Sequence, residues 1–240
     1  MGPSSIPLSM LKEASDLIVI PLCHIINVSF TTGVFPDAIK IAKVIPVHKG
    51  GSTQDLNNFR PISLLSIFDK IIEKLMHQKL YHYPEEHNLM YNKQFGFRKK
   101  NTTVYALIEI TEKIKESIDN GKFGCGIFID LKKAFDTVNH SILLKKLEHY
   151  GVRGNLLRWF ESYLSERKQY VYFNGEISDL MNISCGVPQG LVLGPLLFLI
   201  YIHDIPNVSE KLFFYLFAMI RIFITSLTIF WSWRLLSFKN

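Results

Sequence analysis

The spacing of apolar side chains predicts a chain that mixes helices with short strands. Apolar residues recur with a helical period over residues 10–28, 66–80 and 103–118, so each of these segments is predicted to be a helix. Residues 43–49 alternate between apolar and polar positions. Residues 169–173 are β-formers followed by Asn174-Gly175, a pair that favours a two-residue hairpin turn. Helices packed against a mixed sheet correspond to the α+β class.

In two of the helices the pattern also predicts the side that faces the core. Ile67, Ile71 and Leu75 lie on one side of the helix over residues 66–80. A Ser66…Asp69 capping pattern opens that helix. The helix over residues 103–118 has a comparable stripe, formed by Leu107, Ile110, Ile114 and Ile118.

A short apolar run ends on an acidic residue, Asp130. Residues 127–129 are predicted to be a buried strand, because the run is brief, β-branched and adjacent to glycine. The strand end would present the Asp130 carboxylate at the edge of a sheet, where it could bind Mg²⁺, an ion that takes oxygen ligands. The strand alone favours a simpler interpretation, in which Asp130 ends the strand and caps the next turn.

Composition favours an anionic partner and a reducing compartment. The net charge is +6 and the isoelectric point is near 9.1. Cys23, Cys125 and Cys185 are scattered and odd in number, which argues against a disulfide framework and against paired metal-ligand spacing. The N-terminus has no basic segment followed by an apolar run, so we expect an intracellular and not a secreted protein.

Four stretches of the chain occur in a characteristic order and spacing. They are residues 58–64 (NFRPISL), 94–98 (QFGFR), 126–137 (GIFIDLKKAFDT) and 186–198 (GVPQGLVLGPLLF). From about residue 11 to residue 218 the chain thereby resembles the reverse transcriptase of non-LTR (LINE-like, Jockey-type) retrotransposons. The resemblance implies an α+β right-hand polymerase fold with fingers and a partial palm, the thumb being absent. It also implies RNA-directed DNA synthesis with an RNA template, a DNA primer, dNTP and Mg²⁺, and no stable protein partner.

The resemblance assigns roles to individual residues. Asp130 would be the catalytic carboxylate and metal ligand, whereas Asp136 is expected to be structural. Arg60 would lie close to the triphosphate of the incoming nucleotide, for which a guanidinium offers bidentate donors. The other candidates for nucleotide or template binding are Lys49, Arg98, Gly186, Gln189 and Gly190.

The glycine-rich segment over residues 186–194 has two interpretations. Glycine lets the backbone approach a neighbour closely or adopt positive φ, and Gln189 can both donate and accept hydrogen bonds. In isolation the pattern favours a structural turn before an apolar helix. With Asp130 and the upstream motifs it predicts a loop that faces template or nucleotide. The family typically has serine where this chain has Leu191, which removes a hydroxyl from the site.

The chain departs from the family where a pair of metal-binding aspartates is expected. The family has Phe/Tyr-Ala-Asp-Asp, whereas residues 217–220 read Phe-Ala-Met-Ile and are followed by Arg221. Two-metal nucleotidyl transfer depends on such carboxylates, so we expect polymerase activity to be lost. A noncatalytic RNA- or DNA-binding remnant is the alternative, and a product that does not fold stably is a third possibility.

A one-nucleotide deletion, or an equivalent error in the gene model, would account for the missing aspartates. If GCA GAT GAT ACG AAT ATT TAT T lost the last base of its first codon, it would encode Ala-Met-Ile-Arg-Ile-Phe-Ile, the sequence of residues 218–224. No Asp or Glu follows Lys211. We therefore predict a truncated chain of three segments: an N-terminal helical extension (1–40), a reverse transcriptase domain (41–218) and an aberrant, frameshifted apolar tail without a selected fold (219–240).

The apolar tail also permits a competing interpretation as a membrane segment. Residues 212–238 are long and apolar enough to reach across a bilayer, although Arg221 and Arg234 interrupt them. Because a frameshift already explains the apolar character, membrane contact through residues 212–238 is the less favoured alternative.

Overall fold

A computed structural model describes residues 6–86, 90–98, 101–131, 133–187, 190, 192–217 and 220–227. In chain order its elements are α1 (Leu8–Glu13), α2 (Ser15–Thr32), β1 (Ile41–His48), β2 (Phe59–Leu64), α3 (Ile67–Glu86), α4 (Thr103–Asp119), β3 (Phe123–Asp130), α5 (His140–His149), α6 (Asn155–Leu164), β4 (Lys168–Phe173), β5 (Glu176–Ile177), β6 (Met181–Asn182), α7 (Leu193–Ile202), β7 (Phe213–Phe217) and β8 (Ile220–Leu227). This mixture of helices and strands confirms the predicted α+β class.

The elements form two compact units. The first unit comprises Met1–Met90 and Lys133–His203, and the second comprises Tyr91–Lys132 and Asp204–Asn240. Each unit has its own sheet: five strands in the first and three in the second.

The sheet of the first unit has the order β2-β1-β4-β5, and β6 also pairs with β4. Strand β1 runs antiparallel to β2 and parallel to β4. The predicted hairpin turn is confirmed, because Tyr172 pairs with Ile177 around Asn174 and Gly175, which have φ of 50° and 91°. Positive φ at both central residues is what a type I′ turn requires, and it sets the twist of the two strands.

The core of the first unit is built around the aromatic side chains of α6. Trp159 and Tyr163 are fully buried, and the ring of Phe35 packs edge-on against both at centroid distances of 5.3 Å and 5.1 Å. The indole N–H of Trp159 donates to Ser29 Oγ at 2.9 Å, so the buried indole nitrogen is satisfied while α2 is fixed to α6. Helix α7 is buried along nearly its whole length, as expected of a helix that is apolar all round.

Helix α3 buries a different stripe from the one predicted. Ser66 does cap it, since the Asp69 N–H donates to Ser66 Oγ at 3.0 Å. The predicted stripe is wrong, because Leu75 is exposed and Ile67 and Ile71 are only half-buried. Where burial is described, the buried positions of α3 are Asp69, Ile72, Glu73, Met76, Leu80 and Tyr81. They keep a helical period, but a pattern that counts only apolar residues misses it, because two of its members are acids.

The second unit is a three-stranded antiparallel sheet in the order β3-β8-β7, with α4 packed on it. Its described core consists of two clusters, one of Phe95, Ala106 and Tyr215 and the other of Phe214 and Leu216. The expectation of a buried strand before Asp130 is wrong, because every residue of β3 is exposed in the described structure. The predicted stripe of α4 is also mostly exposed, at Leu107, Ile114 and Ile118. Strand β7, in contrast, is buried at Phe214, Tyr215 and Leu216.

The tail beyond residue 219 was predicted to have no selected fold, and the pairing of residues 220–227 as a strand leaves this as a prediction. These residues form β8, which pairs with β3 from Phe123↔Leu227 to Asp130↔Ile220. The physical reason is that this segment is rich in β-branched residues and meets an available strand edge, whose backbone groups bond to any extended chain. The pairing therefore requires no selected side chains and leaves the deletion hypothesis as a prediction about the coding sequence.

The described part of residues 212–238 does not fit a membrane-spanning helix, because residues 213–217 and 220–227 are strands of the second unit's sheet. Among the described residues one helix, α2, is long and apolar enough to cross a membrane by these two criteria alone. Core helices and signal sequences meet the same criteria.

Candidate functional site

Asp130 is the last residue of β3 and lies beside the β7–β8 hairpin. The register pairs Asp130 with Ile220, and Ile220 pairs in turn with Phe217 of β7. In the family pattern the two aspartates stand at positions 219 and 220 of this chain, so the second of these positions is the one paired with Asp130. Ala218 and Met219 lie outside the described residues. Asp130 is exposed, so its carboxylate is available to a ligand.

Within the described residues, the register sets no second carboxylate opposite Asp130. The strand opposite Asp130 contributes isoleucine, and the next pair in the register sets Arg221 opposite Ile129. Across the described ranges no group of three or more His, Cys, Asp or Glu side chains could hold a metal ion. A two-metal site needs several oxygen ligands at fixed positions, and one exposed carboxylate cannot supply them.

In the first unit, Arg60 and Lys49 lie on the β1–β2 hairpin. Arg60 is exposed on β2 opposite Val47, which leaves its guanidinium accessible to an anion. Lys49 follows β1, and its Nζ donates to the Asn57 carbonyl oxygen at 3.1 Å. Lys49 therefore braces the turn between the strands as well as adding positive charge there.

The structure brings Gly190 to the strand that carries Arg60. Gly190 has φ of 100°, and a Cβ added there would lie 3.1 Å from the Ser63 carbonyl oxygen of β2. Both the backbone conformation and the close approach therefore favour glycine at this position. Two motifs that are far apart in sequence therefore meet at this point.

Gly186 also occupies a position that only glycine fits. It has φ of 87°, and a Cβ there would lie 2.8 Å from the Asp136 carbonyl oxygen. The Gly186 N–H donates to the Val138 carbonyl oxygen at 2.8 Å, and the Gly186 carbonyl oxygen lies 2.7 Å from His140 Nε2. The backbone of Asp136 thus forms the surface against which Gly186 packs.

Two other candidates have different outcomes. Arg98 belongs to the second unit, where it is half-buried and donates to the Tyr91 carbonyl oxygen at 3.0 Å. Of its aromatic neighbours, Phe95 is a core residue and Phe97 is exposed. Gln189, like Pro188 and Leu191, lies outside the described residues.

Sequence reasoning missed a buried polar cluster in the first unit, which comprises Asp69, Glu73, Tyr163 and Arg167. Arg167 Nη2 lies 3.1 Å from Asp69 Oδ2, and the Tyr163 hydroxyl donates to Glu73 Oε1 at 2.5 Å. A second Glu73 oxygen, Oε2, accepts the N–H of Val192 at 3.0 Å. The available signal was the spacing of Asp69 and Glu73, which share one face of α3 with Ile72 and Met76.

Burial dominates the protonation of both acids. Loss of solvation raises the pKa of Asp69 to about 6, although the Arg167 guanidinium opposes this rise. Loss of solvation also raises the pKa of Glu73 to about 7. The charge of Asp69 adds to that rise, and the Tyr163 hydroxyl and Arg167 oppose it. Two carboxyl groups face one guanidinium, so the cluster is neutral when it holds one proton.

The sequence matches known proteins over most of its length. The family model for reverse transcriptase (RNA-dependent DNA polymerase) matches residues 47–219. The RNA-directed DNA polymerase from mobile element jockey of Drosophila melanogaster is 36% identical over 187 residues, covering 78% of this chain and 20% of that protein. The probable RNA-directed DNA polymerase from transposon BS of the same species is 32% identical over 203 residues, covering 82% of this chain and 22% of that protein. The chain thus spans about a fifth of the length of these relatives.

Solved structures agree on the fold. Apo telomerase from Candida tropicalis superposes with a TM-score of 0.58 at 13% identity, covering 92% of this chain and 44% of that one. A form of it truncated from the C-terminal domain gives a TM-score of 0.55 at 15% identity, with coverages of 81% and 45%. The family match and the curated relatives show that the chain belongs to the reverse transcriptase family and is the reverse transcriptase domain of a non-LTR retrotransposon.

Proposed function

We propose that the chain binds an RNA template strand but does not extend a primer. The observation that carries the proposal is the register of β3 and β8, in which the partner of Asp130 is Ile220 and not a second carboxylate. Two-metal nucleotidyl transfer uses one ion to activate the attacking hydroxyl and another to stabilise the leaving group. Enzymes of this family generally depend on Mg²⁺, and Asp130 is the one ligand that this chain retains from the proposed ancestral set.

The proposed RNA-binding surface is the exposed side of β2 with the glycine loop, a name that we use for the described residues Gly186, Val187, Gly190 and Val192 only. Arg60 supports this proposal, because an exposed guanidinium can contact phosphate oxygens through two parallel hydrogen bonds. The contact of Gly190 with β2 supports it further, since a glycine lets a nucleic acid backbone approach closely. Lys49, Arg98 and Gln189 are the further proposed contacts. A DNA primer and dNTP are proposed as the other ancestral ligands.

The test is a titration of fluorescent single-stranded RNA with the full chain at two salt concentrations. Binding to phosphates should weaken steeply with salt. Arg60→Ala should lower the affinity about tenfold and reduce the salt slope by about one. The matched control is Arg153→Ala, which removes an exposed arginine from the turn between α5 and α6 and should leave the affinity unchanged. Salt-independent binding, or equal losses in the two variants, would contradict the proposal.

Two further proposals concern the origin and location of the chain. A one-nucleotide deletion is proposed to have removed the aspartate pair, and an intracellular location is proposed because three scattered cysteines suit a reducing compartment. Sequencing the transcript and the locus across codons 216–224 tests the deletion, since restoring one base should recover Ala-Asp-Asp and an open frame. Microscopy of the tagged chain tests the location.

A further inference from the structure

The glycine loop is fixed at its first residues by backbone contacts within the first unit. The Gly186 N–H donates to the Val138 carbonyl oxygen, and the Val187 N–H donates to the Phe135 carbonyl oxygen, both at 2.8 Å. These bonds leave the other end of the loop, at Val192, to be held by something else.

Glu73 holds that end from a different helix. Its Oε2 accepts the Val192 N–H at 3.0 Å, and Val192 directly precedes α7. The first N–H groups of a helix have no partner within the helix, and α7 has no side-chain cap of its own. A carboxyl oxygen from α3 therefore supplies the cap that the local sequence lacks, and an acceptor is favourable at this end of the helix dipole.

The orientation of Glu73 is set by its buried neighbours. The Tyr163 hydroxyl donates to Oε1 at 2.5 Å, which leaves Oε2 directed at Val192. Tyr163 is in turn held by Arg167, whose Nη1 donates to the Tyr163 carbonyl oxygen at 3.3 Å and whose guanidinium lies over the Tyr163 ring. Asp69 neutralises Arg167 at 3.1 Å.

Stability alone is a weak reason for such a cluster. Replacing buried ion pairs with apolar side chains of similar volume is often neutral or stabilising. Within the described residues, Asp69 Oδ1 and Arg167 Nε have no hydrogen-bond partner, so part of the desolvation cost is not recovered. An apolar cluster could fill the same volume, but it could not accept the Val192 N–H.

We propose that Glu73 is a positioning residue that caps α7 from outside and thereby fixes the glycine loop in the conformation that binds RNA. This inference rests on the proposed function for its RNA-binding half, whereas the capping half stands on geometry alone. The loop is then anchored at both ends, with Gly190 against β2 between the anchors.

Amide hydrogen exchange of the full chain tests the capping half. Glu73→Met keeps the volume but removes the acceptor, so exchange in peptides covering residues 192–196 should rise about tenfold, as expected for the loss of one hydrogen bond. Glu73→Gln retains a carbonyl oxygen and should stay close to wild type. Met76→Ala is the matched control, because it makes a cavity one turn along the buried face of α3. Its exchange should rise no more in residues 192–196 than in other segments of the first unit.

RNA titration of the same variants tests the functional half. Glu73→Met should lower RNA affinity several-fold, while Glu73→Gln and Met76→Ala should not. If Glu73→Met does not fold, Tyr163→Phe serves instead, because it keeps the ring and removes the hydroxyl that orients Glu73. Two results would overturn the inference. One is exchange that rises equally in Met76→Ala and in the Glu73 or Tyr163 variant. The other is an unchanged RNA affinity in a variant whose loop exchanges faster. Failure of wild type to bind RNA would instead overturn the proposed function, and the exchange result would still decide the capping.

Discussion

The buried carboxyl of Glu73 should make the chain less stable as the pH rises from acid to neutral. Its pKa is raised from an ordinary 4.5 to about 7, first by burial and then by the charge of Asp69. Between these values the folded chain holds a proton that the unfolded chain has released. The stabilisation is therefore complete below about pH 4.5 and is lost as the pH rises to about 7.

The magnitude follows from the shift in pKa. Each pH unit of the interval changes the free energy of unfolding by about 1.4 kcal/mol, so Glu73 should account for a loss of about 3 kcal/mol in all. Asp69, whose pKa is raised to about 6, acts in the same direction. Since one retained proton already neutralises the cluster, the shifts of Glu73 and Asp69 are not added, and the expected loss stays at about 3 kcal/mol.

The assay is urea denaturation, followed by the fluorescence of the buried Trp159, at a series of pH values for wild type and Glu73→Gln. Because glutamine does not titrate, the difference between the two free energies isolates Glu73, and wild type should lose about 3 kcal/mol relative to the variant between pH 4.5 and 7.5. Glu161→Gln, an exposed substitution on α6, controls for the general loss of a carboxylate. A constant difference, or wild type gaining relative stability with pH, would refute the reasoning.

Three other perturbations have definite expected outcomes. Arg167→Met should lower the free energy of unfolding in urea by about 3–5 kcal/mol, because it leaves Asp69 buried without its cation. Adding Asp69→Leu should restore most of this stability, and no recovery would contradict the pairing. Gly186→Ala should lower the thermal midpoint well below that of Gly154→Ala. Both glycines have positive φ, but only a Cβ added at Gly186 would meet a backbone oxygen, at 2.8 Å, whereas one added at Gly154 would meet nothing within 4 Å. Equal shifts would contradict the close approach. Ile118→Lys should raise solubility and reduce binding of an apolar dye, since this side chain is 67% exposed; an unfolded variant would show that the stripe is buried in solution.

The sequence predicted those elements whose local signals agree with their packing. Strand β1 and the turn at Asn174-Gly175 are examples, because alternation and positive-φ residues act over a few positions. The sequence also indicated that the glycines of residues 186–194 allow positive φ or a close backbone approach, and Gly186 and Gly190 have both features.

The remaining features depend on contacts between segments far apart in sequence. Glu73 was missed because its partners are Tyr163 and Val192, so its burial is determined by tertiary structure and not by polarity. Strand β8 was missed because its pairing uses backbone groups of β3, which no side-chain pattern records. The exposure of Leu107 on α4 was equally hidden, since periodicity identifies an apolar face but not whether anything covers it.

The central claim is that this reverse transcriptase domain has lost nucleotide incorporation because Asp130 stands without the aspartate pair. Primer extension on an RNA template in Mg²⁺ tests it directly, with wild type compared with the double variant Met219→Asp, Ile220→Asp. The account predicts no extension by wild type, and any activity that the double variant gains should disappear when Asp130→Asn is added. Template-dependent extension by wild type that is abolished by Asp130→Asn alone would contradict the account.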